Sequence, residues 1–390
     1  MILSNKPQKE IAELVASLEV TDPYFSNTRN AGFSEASEHS GKQRIIFYQL
    51  VGADFVESLR VQCQELYDQM LIDFESKWGY KMPFDYVRVD AFMDHETDQL
   101  RILEINSRNA DMYETTDMID AQLAEDITES KHRMLVDKIV ANQFQLHTQR
   151  LGSMPERLLY VYNGTEQKLF RKALEKKYTN IDACKTFEDV DGVSNAGVRY
   201  KETDYRAITR KFQKPSQEFY EYDKNNQIVI MMQLQWEEFG KKGYLVGLEQ
   251  AQNLTKPVSK ETIRDVVMNH QDLIVKATNS GGSRAVFVGK NYEKKDWIRL
   301  LETLLLDEDS EYIYQTYLQP KKQMMHVPGQ GEIIAPVQYG VYILPRLDGT
   351  NQIDIDFHLR ANLGTAKNFV FDPAGEKPEI AFGSIVVCND

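Results

Sequence analysis

The chain has 390 residues, 42% of them hydrophobic and 11% aromatic, and a formal net charge of −13. This is enough apolar material for two or three ordinary domain cores and too much for a disordered chain. The acidic balance argues against a nucleic-acid binder that relies on a general positive field, and it is also what solubility alone would produce. Cys63, Cys184 and Cys388 lie far apart, which argues against a disulfide framework and against a zinc site. The start, MILSNKPQKE, turns polar after three apolar residues, unlike a secretory signal. No apolar run approaches the roughly 20 residues of a membrane helix. The expectation is a soluble, cytoplasmic protein with no nucleic-acid or membrane partner.

In chain order, PQKEIAELVASLEV predicts a helix with Ile11, Leu14, Val15 and Leu18 on one face, ended by the turn around Pro23. Residues 28–45 read as a polar loop. DFVESLRVQCQELYDQMLIDFESKWG, 54–79, predicts a long amphipathic helix on Val56, Leu59, Cys63, Leu66, Met70 and Phe74, with Gly79 as its stop. Two strands follow, VRVDAFM and LRILEIN, and then helix again over 115–147. Composition shifts near 150. RLLYVYNGTEQKLFRKALEKKYTNIDACKTF, 157–187, reads strand, turn, helix, strand, the opening of a small α/β unit. Residues 226–250 add core, and 253–270 read as a turn and then a helix starting near Ser259. DLIVKATNSGGSRAVFVGK, 272–290, is strand, glycine turn, strand, and YIYQTYL, 312–318, is β-rich. Residues 335–364 alternate as an antiparallel sheet does, with turns at Asp348-Gly349 and Gly364, and AFGSIVVCND adds a last strand.

Four constellations carry chemistry. On the strand LRILEIN, Leu103 and Ile105 form an apolar face while Glu104 and Asn106 point the other way, because side chains alternate. The same rule puts Arg88 and Asp90 on one face of VRVDAFM. Asp90, Glu104 and Asn106 together offer the oxygen ligands that magnesium prefers; two solvent-facing polar strand faces would look similar. Ser280, Gly281, Gly282 and Ser283 offer unobstructed backbone N–H groups to phosphate, with Lys276 at the entrance of the turn. A plain hairpin with an exposed lysine fits the same residues. Lys256 is a second candidate phosphate ligand or a solvated loop lysine. The strand end at Gln315, Tyr317 and Leu318 could line an adenine ring, or be an ordinary buried strand. Arg360, with Arg108 beside the acidic strand, could grip phosphate or carboxylate in forked geometry, or lie on the surface. There is no Walker-type phosphate loop, HExxH or G-x-S-x-G elbow.

Taken together, VKATNSGGSRAVFVG, YQTYLQP, VDAFMD and LEINSR resemble the ATP-grasp superfamily over about two thirds of the chain. The common order of those segments places the Asp and Glu-x-Asn strands last, whereas here they come first. The resemblance therefore implies a circularly permuted ATP-grasp architecture of the α+β or α/β class, with antiparallel sheets plus a small α/β domain and both chain ends close together. It implies four parts: residues 1–150 with the metal-holding strands, 151–252 as the small α/β domain, 253–325 as the ATP-binding part with a glycine lid, and 326–390 completing the core with 54–125. A glutamate often stands where this chain has Thr316. The first 50 residues match nothing.

The resemblance further implies a carboxylate–amine ligase using ATP and Mg2+ on small molecules, an amino acid or short peptide among them. A substrate carboxylate would be activated as an acyl phosphate and joined to an amine. Asp90, Glu104 and Asn106 would hold magnesium. Lys276 and Lys256 would hold ATP phosphates, the Ser280–Ser283 turn would close over them, and Arg360 and Arg108 would handle the transferring phosphate or the carboxylate. A small-molecule kinase and a nucleotide-binding regulatory module without turnover are the alternatives.

Overall fold

The computed structural model describes residues 1–17, 46–94, 97, 99–107, 113, 114, 116, 117, 119, 120, 135–153, 157–161, 168–184, 207–210, 221, 223, 225, 229–231, 234–249, 255–278, 285–307, 310–363, 369 and 380–388. The first part of the chain forms β1 (Ile2–Ser4), α1 (Gln8–Ser17), β2 (Ile46–Gly52), α2 (Ala53–Trp78), β3 (Val87–Met93), β4 (Leu100–Asn106) and α3 (Leu135–Leu151). The middle forms β5 (Arg157–Val161), α4 (Lys168–Glu175), β6 (Asn180–Cys184), β7 (Ala207–Arg210) and β8 (Val229–Met231). Two short 3-10 helices follow, Leu234–Gly240 and Lys242–Leu245. Then come β9 (Thr255–Pro257), α5 (Ile263–Met268), β10 (Leu273–Ala277), β11 (Val286–Val288) and α6 (Lys294–Leu305). The last strands are β12 (Tyr312–Thr316), β13 (Lys322–Val327), β14 (Gly331–Pro345), β15 (Ile353–Asn362) and β16 (Ile380–Cys388).

Among the described residues there are three sheets, one mixed, one antiparallel and one parallel. The mixed sheet has eight strands in the order β1-β16-β2-β13-β14-β3-β4, with β15 pairing both β14 and β16. It unites the two ends of the chain: β1 runs parallel to β16, with Ile2 opposite Val386. One face is a continuous apolar core. Leu59, Cys63, Leu66, Met70 and Phe74 recur along α2 at helical spacing and pack with Val87, Val89, Val341, Ile343, Ile355 and Phe357. The helix ends where its pattern ends: Gly79 adopts a left-handed φ of 78° and donates its N–H to the Glu75 carbonyl at 2.8 Å. The opposite face of the same strands carries Arg88, Asp90, Gln338, Gly340, Asp356, His358 and Arg360, so strand alternation separates core from site.

The second sheet is antiparallel, β11-β10-β12-β9. Leu273, Val275 and Tyr314 on one face are covered by α5 and α6 through Val266, Trp297 and Leu301. Ile274, Val286 and Val288 form a small buried cluster on the other face, with Tyr317 packed against it. The third sheet, β6-β5-β7-β8, is parallel. The expected strand, helix, strand over 157–187 is present as β5, α4 and β6 (Lys168 to Glu175 forming the helix), and α3 packs on it through Ile139, Val140, Phe170 and Leu174.

Two expectations change. Residues 255–257, read as a turn, form β9 by pairing with β12, Tyr314 opposite Lys256. The following helix starts at Ile263 rather than near Ser259, because Thr262 Oγ1 accepts the Ser259 N–H at 2.9 Å and donates to the Pro257 carbonyl, closing a turn first. The polar stretch 28–45, most of 115–134 and the turn at Gly364 lie outside the described residues. No helix among the described residues is long and apolar enough to cross a membrane.

Candidate functional site

Strand β3 is fully buried in the mixed sheet, between β14 and the edge strand β4. Asp90 stands at its centre, 0% exposed, opposite Glu104 on one side and Gly340 on the other. Arg88 Nε donates to Asp90 Oδ1 at 2.8 Å and Arg88 Nη2 to Oδ2 at 3.1 Å; Arg360 Nη2, from β15, also donates to Oδ2, at 3.0 Å. Burial would raise the Asp90 carboxyl, but the two guanidiniums outweigh it and lower it to about 2. Arg88, 8% exposed, is raised in turn, its burial outweighed by Asp90. Gly340 makes room for this cluster. A Cβ there would lie 3.1 Å from the His358 carbonyl, 3.2 Å from Arg88 Cδ and 3.4 Å from Asp90 Oδ1. Beside the cluster, burial and then Arg360 and Arg88 hold the His358 imidazole well below its ordinary range, so it is neutral.

Strand β4 departs from simple alternation. The register slips between Asp90 and Ala91, so that Glu104 faces Asp90 but Ile102 faces Ala91, and Leu103 is the extra residue of a bulge. The expected apolar face of Leu103 and Ile105 is therefore corrected. Ile102 and Ile105 join the core, while Leu103 turns into the cleft, where its carbonyl accepts from Lys276 Nζ at 3.4 Å. That contact joins β4 of the mixed sheet to β10 of the second sheet, across 173 positions of sequence.

The cleft between those sheets is lined by Phe92, Leu103, Glu104, Gln338 and Arg360 from the mixed sheet and its neighbours, by Ile274, Lys276, Val286, Gln315, Tyr317 and Leu318 from the second, and by Lys242. It holds about 780 Å³ of space continuous with solvent. Lys242 Nζ lies 3.5 Å from Glu104. Burial lowers the Lys276 ammonium to about 8, with Glu104 opposing and Lys242 adding to the effect. Gln315 donates Nε2 to Thr255 Oγ1 at 3.0 Å, while its Oε1 is buried with no hydrogen-bond partner. The Tyr317 N–H is held by the Asp272 carbonyl at 2.7 Å, and Lys290 Nζ sits 3.7 Å from its ring centroid.

The sequence candidates thus divide. Asp90, Glu104, Lys276, Gln315, Tyr317, Leu318 and Arg360 converge on one cleft or its wall. Asn106 stands further along β4, opposite Arg88, with Nδ2 buried and without a partner. Lys256 is exposed on the edge strand β9 and does not line the cleft. Arg108 and Ser280, Gly281, Gly282 and Ser283 lie outside the described residues. Sequence reasoning missed Lys242 and Gln338. Neither sits in a recognisable motif, and only tertiary packing brings them here.

Among the described residues that line the cleft, Lys242, Lys276 and Arg360 are cationic and Glu104 is anionic. As a magnesium site the donor set fits in part. Glu104 and Asn106 can present oxygens from one strand, whereas both Asp90 oxygens are already held by guanidiniums. Among the described residues no group of three or more His, Cys, Asp or Glu side chains is placed to hold a metal.

No protein-family model and no curated protein matches the chain. The fold is shared with a solved structure. A glutathione synthetase-like effector from Globodera pallida, in its apo form, superposes with a TM-score of 0.56 at 10% identity, covering 98% of each chain. A protein assigned as a gamma-glutamylcysteine synthetase from Methylobacillus flagellatus KT aligns over 86% of this chain and 89% of its own, at 11% identity and a TM-score of 0.39, too low to bear on the fold.

Proposed function

We propose that the chain is an ATP-dependent carboxylate–amine ligase built on a circularly permuted ATP-grasp fold. The observation that carries this reading is the meeting of Lys276, Lys242, Arg360 and Glu104 in one cleft between two sheets. The fold shared with a glutathione synthetase-like protein supports it at the level of architecture. So does the pairing of β1 with β16, since a permuted order requires the chain ends to be neighbours.

The chemical difficulty is anion repulsion: a carboxylate must approach a triphosphate. The excess of cations in the cleft offsets that repulsion and stabilises charge that develops on transfer. Lys276 would hold the phosphates. Ile274, Val286, Tyr317 and Leu318 offer an apolar slot to adenine, and Gln315 Oε1 an acceptor for its edge. Arg360, oriented by Asp90, would grip the substrate carboxylate or the transferring phosphoryl group in forked geometry. Asp90 then acts through Arg360 and Arg88 rather than as a metal ligand. Glu104 and Asn106 would hold magnesium, which neutralises triphosphate charge when bound. Excluding water from the cleft protects an acyl phosphate from hydrolysis. The Ser280–Ser283 turn as lid, Arg108 as a second anion grip, Lys256 as a further phosphate ligand, and the four-part division at 150, 252 and 325 belong to the same reading. The substrates would be a small carboxylate and a small amine, of the amino-acid or short-peptide class.

The commitment of Asp90 to two arginines also favours a second reading, a nucleotide-binding module without turnover. Phosphate release with ATP and magnesium, measured across a panel of amino acids and small carboxylic acids, separates the readings. A ligase releases free phosphate and joins two substrates. A kinase gives a phosphorylated product and no free phosphate, and a binding module gives neither. Glu104→Gln abolishes turnover and leaves the fold intact; a fully active variant overturns the assignment.

A further inference from the structure

We propose that the Arg88–Asp90–Arg360 cluster stands in for one of the divalent ions of this cleft, so that a triphosphate binds with a single ion and keeps part of its affinity with none. The inference deepens the ATP-site reading above and rests on it. The resemblance implies Asp90, Glu104 and Asn106 as oxygen ligands, and the structure commits the first of them elsewhere. Asp90, 0% exposed, accepts from Arg88 through both oxygens, at 2.8 and 3.1 Å, and from Arg360 at 3.0 Å. A magnesium ion shared between protein and triphosphate takes one or two carboxylates and fills its other positions with phosphate oxygens and water. With Asp90 committed, Glu104 is the one carboxylate among the described residues that line the cleft, which suits one ion.

An arriving ion would not release Asp90. Arg88 is 8% exposed, and it would lose the carboxylate that matches its charge, a costly state for a buried cation. A divalent ion on Asp90 would also meet two guanidinium charges at short range. The packing is fitted to the guanidinium. Gly340 faces Asp90 across the strand pair, and a Cβ there would lie 3.2 Å from Arg88 Cδ and 3.4 Å from Asp90 Oδ1. Arg360 completes the arrangement from β15. It gives an N–H to Asp90, and its side chain, 28% exposed, lines the cleft beside its cross-strand neighbour Gln338. A guanidinium has five N–H donors in a planar fork, so Arg360 keeps donors for a phosphate while Asp90 sets its orientation. A cation oriented before the ligand arrives needs little ordering on binding, which favours affinity.

The test is calorimetric binding of ATP and of adenosine to the full chain, in magnesium and in excess chelator, for wild type, Arg360→Met and Arg360→Lys. Manganese bound per ATP complex is counted by electron paramagnetic resonance of the free ion. The expected result is one manganese per wild-type complex, and ATP binding that persists in chelator. In chelator, ATP binds about 10- to 100-fold more weakly to Arg360→Met, the range of a hydrogen bond to a charged group. Adenosine affinity is unchanged, and Arg360→Lys keeps part of the ATP affinity. Should Arg360→Met fail to fold, Arg360→Gln carries the same comparison. Two manganese ions per wild-type complex overturn the proposal, as does ATP binding that vanishes in chelator. Equal ATP affinity in wild type and Arg360→Met overturns it too, as does an equal loss for ATP and adenosine, which would make Arg360 a structural support. ATP binding in magnesium leaves the ATP-site reading standing in each of these cases. Wild-type protein that binds neither compound in either buffer overturns that reading, and this inference with it.

Discussion

Replacing Asp90 with Asn keeps the shape of the side chain and removes its charge. Arg88, 8% exposed, would then have lost the carboxylate that matches it, while Arg360, with 28% of its side chain exposed, can turn toward solvent. Removing one partner of a buried pair typically costs about 3–5 kcal/mol, because the other charge stays behind. The exposure of Arg360 places this variant at the lower end, about 3 kcal/mol. Linkage gives a compatible size. The Asp90 carboxyl is lowered from 3.8 to about 2, and each unit corresponds to about 1.4 kcal/mol, so the paired carboxylate contributes roughly 2 kcal/mol. Because the folded value lies below the unfolded one, that contribution is present above about pH 4 and is lost as pH falls toward 2. Urea unfolding at pH 7 measures the loss, and a series down to acid pH measures its decay. Arg88→Met with Asp90→Asn in one chain leaves no unmatched buried charge, so the pair of changes costs less than Asp90→Asn alone. A single variant within 1 kcal/mol of wild type, or a double variant less stable than the single one, refutes the account of this cluster.

Lys276→Met weakens ATP binding by about 10- to 100-fold at pH 7. Since burial lowers the Lys276 ammonium to about 8, wild-type affinity measured without metal declines as pH rises through 8, and a flat profile between 7 and 9 would count against its role. Gly340→Ala presses on Arg88 and on the His358 carbonyl and costs about 1–2 kcal/mol in urea unfolding; an unchanged midpoint would show that the cluster has room to spare. Burial raises the Asp117 carboxyl to about 7, although it accepts the Val136 and Leu135 N–H groups at the start of α3. For an acid whose folded value is raised, stability is lost as pH rises from the unfolded value of 3.8 toward 7, so unfolding midpoints fall across that window and Asp117→Asn flattens the fall. Identical slopes for variant and wild type sink this assignment.

Local pattern determined much of this molecule. The spacing of Leu59, Cys63, Leu66, Met70 and Phe74, with Gly79 after them, defines α2 because a helix brings every third or fourth residue to one face and a left-handed stop suits glycine. Strand alternation placed Arg88 and Asp90 together and marked β14 and β15, while the strand, turn, helix, strand pattern of 157–187 marked the β5–α4–β6 unit. The cleft was legible through residues that sit in short, chemically distinctive segments: Glu104, Lys276, Gln315, Tyr317, Leu318 and Arg360. Tertiary structure decided the rest. The Leu103 bulge depends on pairing with β3, which no run of LRILEIN reveals. The second guanidinium on Asp90 comes from Arg360, 270 positions away, and the placement of Lys242 depends on Trp236 finding Phe74 and Phe84. Periodicity reports which side of an element is apolar; which distant charge will meet a buried carboxylate is settled by how the sheets pack, and that information is spread over the whole chain.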